Sequence, residues 1–326
     1  MTGSTTLGRS LVLCLALTVS ANLYAQAVSD PAFDTTVEKP AYVREHPRVV
    51  VDEAHFNYHT ASDRYRPLAQ LLRSDGYEVT AGTAKFDRAS LRGTRVLIIA
   101  NARGGAEDSA DVAQPAFTDA ECDAVRDWVR AGGALLLIAD HSPFGSAAAN
   151  LALRFGVVMG KGHVFDLVNS DTNPTILVFS KDNGLLGTHA IIRGRTDAES
   201  VRRIVAFEGQ SLSVPVGATI LMKLGSTAYE ADSREDIRLA QSALRSNPAP
   251  RTNIDRARSV ADAAQGLAME FGRGRLVITG EAAMFSAQVL HQQPRPDFKF
   301  GMNAPGNDDR QFALNALHWL SRAADY

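Results

Sequence analysis

Cysteine is nearly absent: the 326 residues contain two, Cys14 and Cys122. Cys14 lies inside the N-terminal apolar run Leu11–Val19 (LVLCLALTV). With that run removed, Cys122 stands alone and no intrachain disulfide can form. Stability must then come from a large core and not from covalent staples. Neither sign of charge prevails, with 34 Lys+Arg against 36 Asp+Glu, and aromatic residues make up only 7%. Without a basic block or aromatic clusters, nucleic acid is not an expected partner. Long hydrophobic runs are missing too. The stretch Leu11–Val19 is far shorter than the roughly 20 residues needed to span a bilayer.

What is present at the N-terminus reads as a leader. Arg9 precedes the short apolar core, and small and polar residues follow up to Ala25 or Ala27, the pattern of a cleaved secretory signal. Residues 1–25 are therefore expected to be a signal peptide, giving a periplasmic or secreted chain with no stable membrane span after cleavage. Cys14 sits within the apolar core and not at its end, which argues against a lipid anchor. Residues 26–45 are polar, contain Pro31 and Pro40, and are expected to form a flexible lead-in. The remainder, 46–326, reads as a single domain.

Strand and helix signals then alternate. Val49–Val51 is β-branched. Tyr65, Leu68, Ala69 and Leu72 repeat at helical spacing, with Gly76 as a stop. Tyr77–Thr80 and Arg95–Ala100 are further strand candidates. Thr118 followed by Glu121 is a capping box ahead of the stripe Cys122, Val125, Val129. After Gly132-Gly133, Ala134–Ala139 is apolar throughout, as a parallel strand covered on both faces should be. A helix is expected from about Ser146 to Phe155. In the second half, Thr175–Phe179, Ala190–Ile192, Ile204–Phe207 and Thr219–Leu224 are short strand candidates, and 231–258 is a charged surface excursion with a helix near Ile237–Leu244. Leu267–Phe271 and Leu276–Thr279 form a hairpin, and a last helix runs from about Asp309 to Ala323. These units specify a doubly wound, mainly parallel α/β sheet of flavodoxin-like type, with helices on both faces and an antiparallel extension in the second half.

In such sheets ligands sit beyond the carboxyl ends of the strands. Four loops there carry chemistry. Asp52, Glu53 and His55 follow the first strand; Asn101 and Arg103 follow the third. Asp140, His141 and Ser142 follow the central strand, and Glu281 follows the hairpin. His141, Asp140 and Glu281 are the catalytic candidates. Asp52, Glu53, His55, Asn101 and Ser142 are candidates for ligand contact. Asp52, His55 and His141 are the candidate metal ligands; a divalent metal is admitted but not required by any spacing. Neighbours in sequence diverge, so Asp140-His141-Ser142 does not by itself make a relay. His163, His189, His291 and His318 lack convergent partners and read as surface or core residues. Residues 301–309 offer a further wall. Cys122, on its apolar stripe, reads as a core thiol.

The segments Val49–His55, Arg95–Asn101, Phe117–His141 and Gly274–Phe285, with the helix Asp308–Leu320, resemble the class I glutamine amidotransferase-like superfamily. The likeness is to the branch shared by ThuA-like, gliding-motility and intraflagellar-transport domains. A Gly-rich turn, strand and histidine ending at His141 is similar to the ThuA-like pattern, and Gly280-Glu281 and Asp308-Asp309 stand where its closing motif falls. That superfamily's glutaminases carry a nucleophilic cysteine where this chain has His141, so the resemblance implies the fold without thiol-dependent glutamine hydrolysis. Two functions follow as expectations. One is binding of a small polar ligand, carbohydrate among them, or of a protein partner. The other is a periplasmic hydrolase, metal-dependent or not, using the His/Asp/Glu groups at the strand ends.

Overall fold

The apolar segments line up as one sheet. The computed structural model describes residues 27–246, 253–292 and 294–323. Its central sheet contains β1 (Arg48–Asp52), β2 (Glu78–Gly82), β3 (Val96–Ala100), β4 (Ala134–Ile138), β5 (Thr219–Lys223), β6 (Ala264–Phe271) and β7 (Gly274–Thr279). The order across it is β2-β1-β3-β4-β7-β6-β5. The first five in that order are parallel, while β6 and β5 extend the sheet antiparallel. The expected doubly wound sheet and its antiparallel extension are both present.

Alternation along the strands assigns two cores. Val49, Val51, Ile98, Leu136 and Ile138 face α1 (Arg66–Ser74) and α5 (Asp309–Ser321) in one buried cluster. Val50, Leu97, Ile99, Leu135 and Leu137 face the opposite cluster, with α2 (Asp119–Arg130) and α3 (Phe144–Leu153). The inner strands β1, β3 and β4 thus bury both faces, which is why their runs Val49–Val51, Val96–Ala100 and Ala134–Ile138 are apolar without a polar alternate. The capping box opens α2 as expected: the Glu121 amide donates to Thr118 Oγ1 and the Thr118 amide to Glu121 Oε2, a device contributing about 1 kcal/mol. Cys122 is fully buried in this stripe, and burial pushes its thiol up to about 11. That is the reverse of what a nucleophilic cysteine needs.

Two expectations are corrected, and a third region proves to carry its expected helix. Residues 27–45 are tied down and not loose: Val28–Ser29 pairs with Ala287–Leu290, and Tyr42 packs edge-on against Tyr77 at 4.9 Å. Residues 190–193 form a helical turn and not a strand, because the His189 side chain accepts the Ile191 amide as an N-cap. The described part of the charged excursion is built in. Ala228–Ala231 pairs with His163–Asp166 and Ala257–Ser259, and α4 (Arg234–Ser246) lays Ile237, Ala240 and Leu244 on Phe165 and Tyr229 in a third cluster. His163–Asp166 was not legible as a strand, since its partners lie more than sixty residues away. The leader candidate, residues 1–25, lies outside the described residues apart from its second cleavage point at Ala27. Among the described residues no helix is long and apolar enough to cross a membrane.

Candidate functional site

Two histidine–carboxylate clusters stand at the carboxyl ends of the strands. The first follows β1. His55 is completely buried, its Nδ1 lying 2.9 Å from both Asp52 oxygens and its Nε2 2.9 Å from Glu121 Oε1. Phe86 and Phe117 close on the ring at 4.6 and 4.7 Å. Asn57 donates to Asp52 and to the Ala100 carbonyl, and the Phe86 amide donates to Glu121. Burial opposes charge on Glu121, yet His55 and the Thr118 contacts hold its carboxyl at about 2. Every ring nitrogen and carboxylate here is satisfied. Asp52 and His55, two of the candidate metal ligands, here tie the end of β1 to the start of α2. The switch point between β1 and β3, where a doubly wound sheet ordinarily opens, is filled by the chain's own side chains. Glu53 accepts the Ala61 amide and closes the same loop.

The second cluster surrounds the turn after β4. Asn101 takes a left-handed conformation (φ 48°) directly after β3. Its Oδ1 accepts the Asp140 amide at 2.9 Å, while its Nδ2 lies 3.2 Å from His59 Nδ1. That geometry makes the His59 nitrogen an acceptor, and burial accordingly depresses the His59 imidazole to about 3. Gln210 locks the turn from the other side, donating to the carbonyls of Ala139 and Asp140. Gly145 is required beneath it, because a Cβ there would lie 2.2 Å from Gln210 Oε1. The rigid turn carries His141 out, and its Nδ1 must donate to the Ser142 carbonyl at 2.8 Å, leaving Nε2 with a lone pair. Ser142 itself is exposed and contributes this carbonyl.

Beside His141 lie two residues from distant segments. His163 stacks on it with centroids 4.5 Å apart and planes at 22°. Glu208, the residue after the strand Arg203–Phe207, has φ 61°, a strained left-handed position that non-glycine residues rarely take. Its carboxylate is held by Arg234 at 2.7 Å on each oxygen and lies 3.2 Å from His163 Nδ1. Burial would raise Glu208, but His163 and Arg234 pull it down to about 2. Asp140 moves the opposite way: burial pushes it well above the carboxylate range, the His141 amide opposes this, and the Glu208 charge reinforces it. Burial also lowers His141, against the pull of Glu208.

These groups open into a cavity of about 410 Å3, within the usual range for small-molecule sites. Asp140, His141, Glu208 and Arg234 line it together with Phe207, Phe298 and Phe300. The three phenylalanines form a contiguous aromatic wall, with centroid separations of 5.4 to 6.1 Å.

The catalytic candidates are thus divided. Asp140 and His141 line the cavity. Glu281 does not: it is completely buried and accepts the amides of Ala283 and Met284 at the start of a short helical turn. Burial, with Asp140 nearby, raises its carboxyl. Asn101 acts behind the cavity by positioning Asp140. Arg103 is bound to the Phe56 carbonyl and Glu107. Residues 301–309 do not line the cavity; the strand Phe298–Gly301 just before them does. Sequence reasoning missed His163, Glu208 and Arg234. Glu208 had a signal, since it follows a strand as the other candidates do. His163 had none, because its partners converge only through the pairing of a short strand.

The likeness to known structures lies in the fold, not in the sequence. The fold is similar to that of the mmIFT52 N-terminal domain. That structure is 16% identical, with a TM-score of 0.59, covering 86% of this chain and 99% of its own. A ThuA-like protein from Bacteroides uniformis is 12% identical over 90% of this chain and 95% of its own, at a TM-score of 0.41. A ThuA-like protein from Parabacteroides merdae is 9% identical over 85% and 90%, also at 0.41. No family model and no curated protein matches the sequence. The doubly wound α/β fold implied by the resemblance is the one observed, with His141 in the turn after β4.

Proposed function

We propose that this chain binds a small polar ligand in the cavity at the end of β4, and that carbohydrate is the class it fits best. The observation that carries this reading is the composition of one cavity: an aromatic wall of Phe207, Phe298 and Phe300 beside Asp140, His141 and the Glu208–Arg234 pair. Sugars present an apolar C–H face and a rim of hydroxyls, and such a wall and rim match them. A recess of this size favours a small ligand over a protein partner. The leader pattern in residues 1–25 supports action outside the cytoplasm, which fractionation of cells expressing the full chain checks: a cytoplasmic, uncleaved product contradicts it.

Calorimetric titration with a panel of mono- and disaccharides tests the ligand. Saturable binding to at least one, weakened about tenfold in Phe300→Ala, is the expected result. No binding across the panel removes the carbohydrate reading. A second reading, hydrolysis, is favoured by one observation: the neighbouring acids Asp140 and Glu208 are displaced in opposite directions, as an acid and its ionised partner must be. Turnover of aryl glycosides that vanishes in Asp140→Asn would support it, and absence of turnover in the wild type would not.

A further inference from the structure

We infer that His141, His163 and Glu208 form a binding site for a single divalent transition-metal ion of the zinc or cobalt type. Each of the three offers one ligand atom, and these atoms all lie within 4.8 Å of one another. They come from three separate segments: the turn after β4, the start of the strand His163–Asp166, and the residue after Phe207. None is a neighbour of another in sequence, so their convergence is a product of the fold. The proposal shares the cavity with the ligand reading above but does not depend on it.

Two details go beyond proximity. His163 is only 7% exposed, yet its Nδ1 has no hydrogen-bond partner. It faces Glu208 Oε1 at 3.2 Å, outside hydrogen-bond geometry. A buried ring nitrogen left this way is costly unless something else engages it. His141 shows the complementary arrangement: its Nδ1–H donates to the Ser142 carbonyl, which leaves the lone pair on Nε2. A backbone carbonyl on the far nitrogen is how ligating histidines are generally oriented.

The donor set selects the ion. Two imidazoles and one carboxylate suit zinc and its neighbours and not calcium or magnesium, which prefer all-oxygen shells. Three protein ligands with a remaining position toward a cavity is the pattern of an open zinc site and not a closed structural one. Bond lengths of about 2.0–2.2 Å would draw the three atoms closer than they stand. His141 and Glu208 both border the cavity, so their side chains are the ones that would close on His163. Arg234 occupies both Glu208 oxygens and is itself largely exposed. It therefore holds the carboxylate in place as a cation that a metal can partly displace.

The test uses the untagged, chelator-treated chain and cobalt(II) alone, with no saccharide present. One cobalt per chain is expected, with visible absorption typical of mixed nitrogen and oxygen ligation, displaced by one equivalent of zinc. His141→Ala and Glu208→Gln should each weaken binding about tenfold or more while keeping the wild-type circular dichroism. If His163→Gln fails to fold, those two variants decide. Failure of the wild type to bind cobalt stoichiometrically, or undiminished binding by folded His141→Ala and Glu208→Gln, overturns the site. Either outcome leaves the saccharide titrations to stand or fall separately.

Discussion

The two histidine–carboxylate clusters use the same residue types at the same edge of the same sheet, and they do opposite things. Around His55, both ring nitrogens meet carboxylates at 2.9 Å, two phenylalanines cover the ring, and solvent is absent. Around His141, one nitrogen is fixed by a carbonyl, and the neighbouring His163 carries a buried nitrogen that faces Glu208 at 3.2 Å without forming a hydrogen bond. The lesson is that density of ionisable groups does not identify a site. Unsatisfied bonding capacity facing a cavity does.

The largest expected effect breaks the first cluster. His55→Ala removes the group that bridges Asp52 and Glu121 and opens a hole between Phe86 and Phe117, and should cost about 3 kcal/mol or more of folding stability in urea titration. His141→Ala, on the cavity wall, should cost about 1 kcal/mol or less. If the two losses are alike, the division between a tie and a site fails.

Acid sharpens the comparison next. His59 is depressed from 6.5 to about 3 and Glu121 from 4.5 to about 2. For both, the unfolded chain binds protons more readily, so stability is complete above the unfolded pKa and is lost as pH falls. The His59 loss spans roughly pH 6.5 to 3 and the Glu121 loss 4.5 to 2. His59→Asn should flatten the first segment of the stability–pH curve and leave the second, as thermal melts between pH 7 and 3 would show. Unchanged slopes in the variant would remove burial of neutral His59 from the account.

The smallest effect concerns Asp309, buried at the start of α5. Burial raises its carboxyl, the Val205 amide opposes this, and Glu281 and Asp308 add to the rise. One of its oxygens has no partner. A raised folded pKa means stability that is present at low pH and lost as pH rises through it. Asp309→Asn imitates the protonated acid, so it should be near neutral at pH 5 and raise the melting midpoint by about 2 °C at pH 8. A lower midpoint at both pH values would contradict this.

Much of this was legible in the sequence. Strands buried on both faces declare themselves by unbroken apolar runs such as Ala134–Ala139, and Thr118 with Glu121 announced α2. His141 was found because strand ends of a doubly wound sheet are where ligands sit. The partner of His55 was hidden because nothing local shows that Glu121, sixty-six residues on, meets its second nitrogen. His163, Glu208 and Arg234 were hidden because a site assembled by long-range pairing of short strands has no spacing to read. Asn101 and Glu281 were found in sequence, but at work behind the cavity and not inside it.

The central claim is that the His141 cluster receives a ligand and the His55 cluster does not. The imidazole carbon–proton NMR signals of the purified chain, followed during titration with the saccharide panel, test this most directly. The account requires saturable shifts of His141 and His163 with at least one saccharide, while His55 stays unmoved. Shifts at His55, or no response from His141 and His163 to any member of the panel, would contradict it.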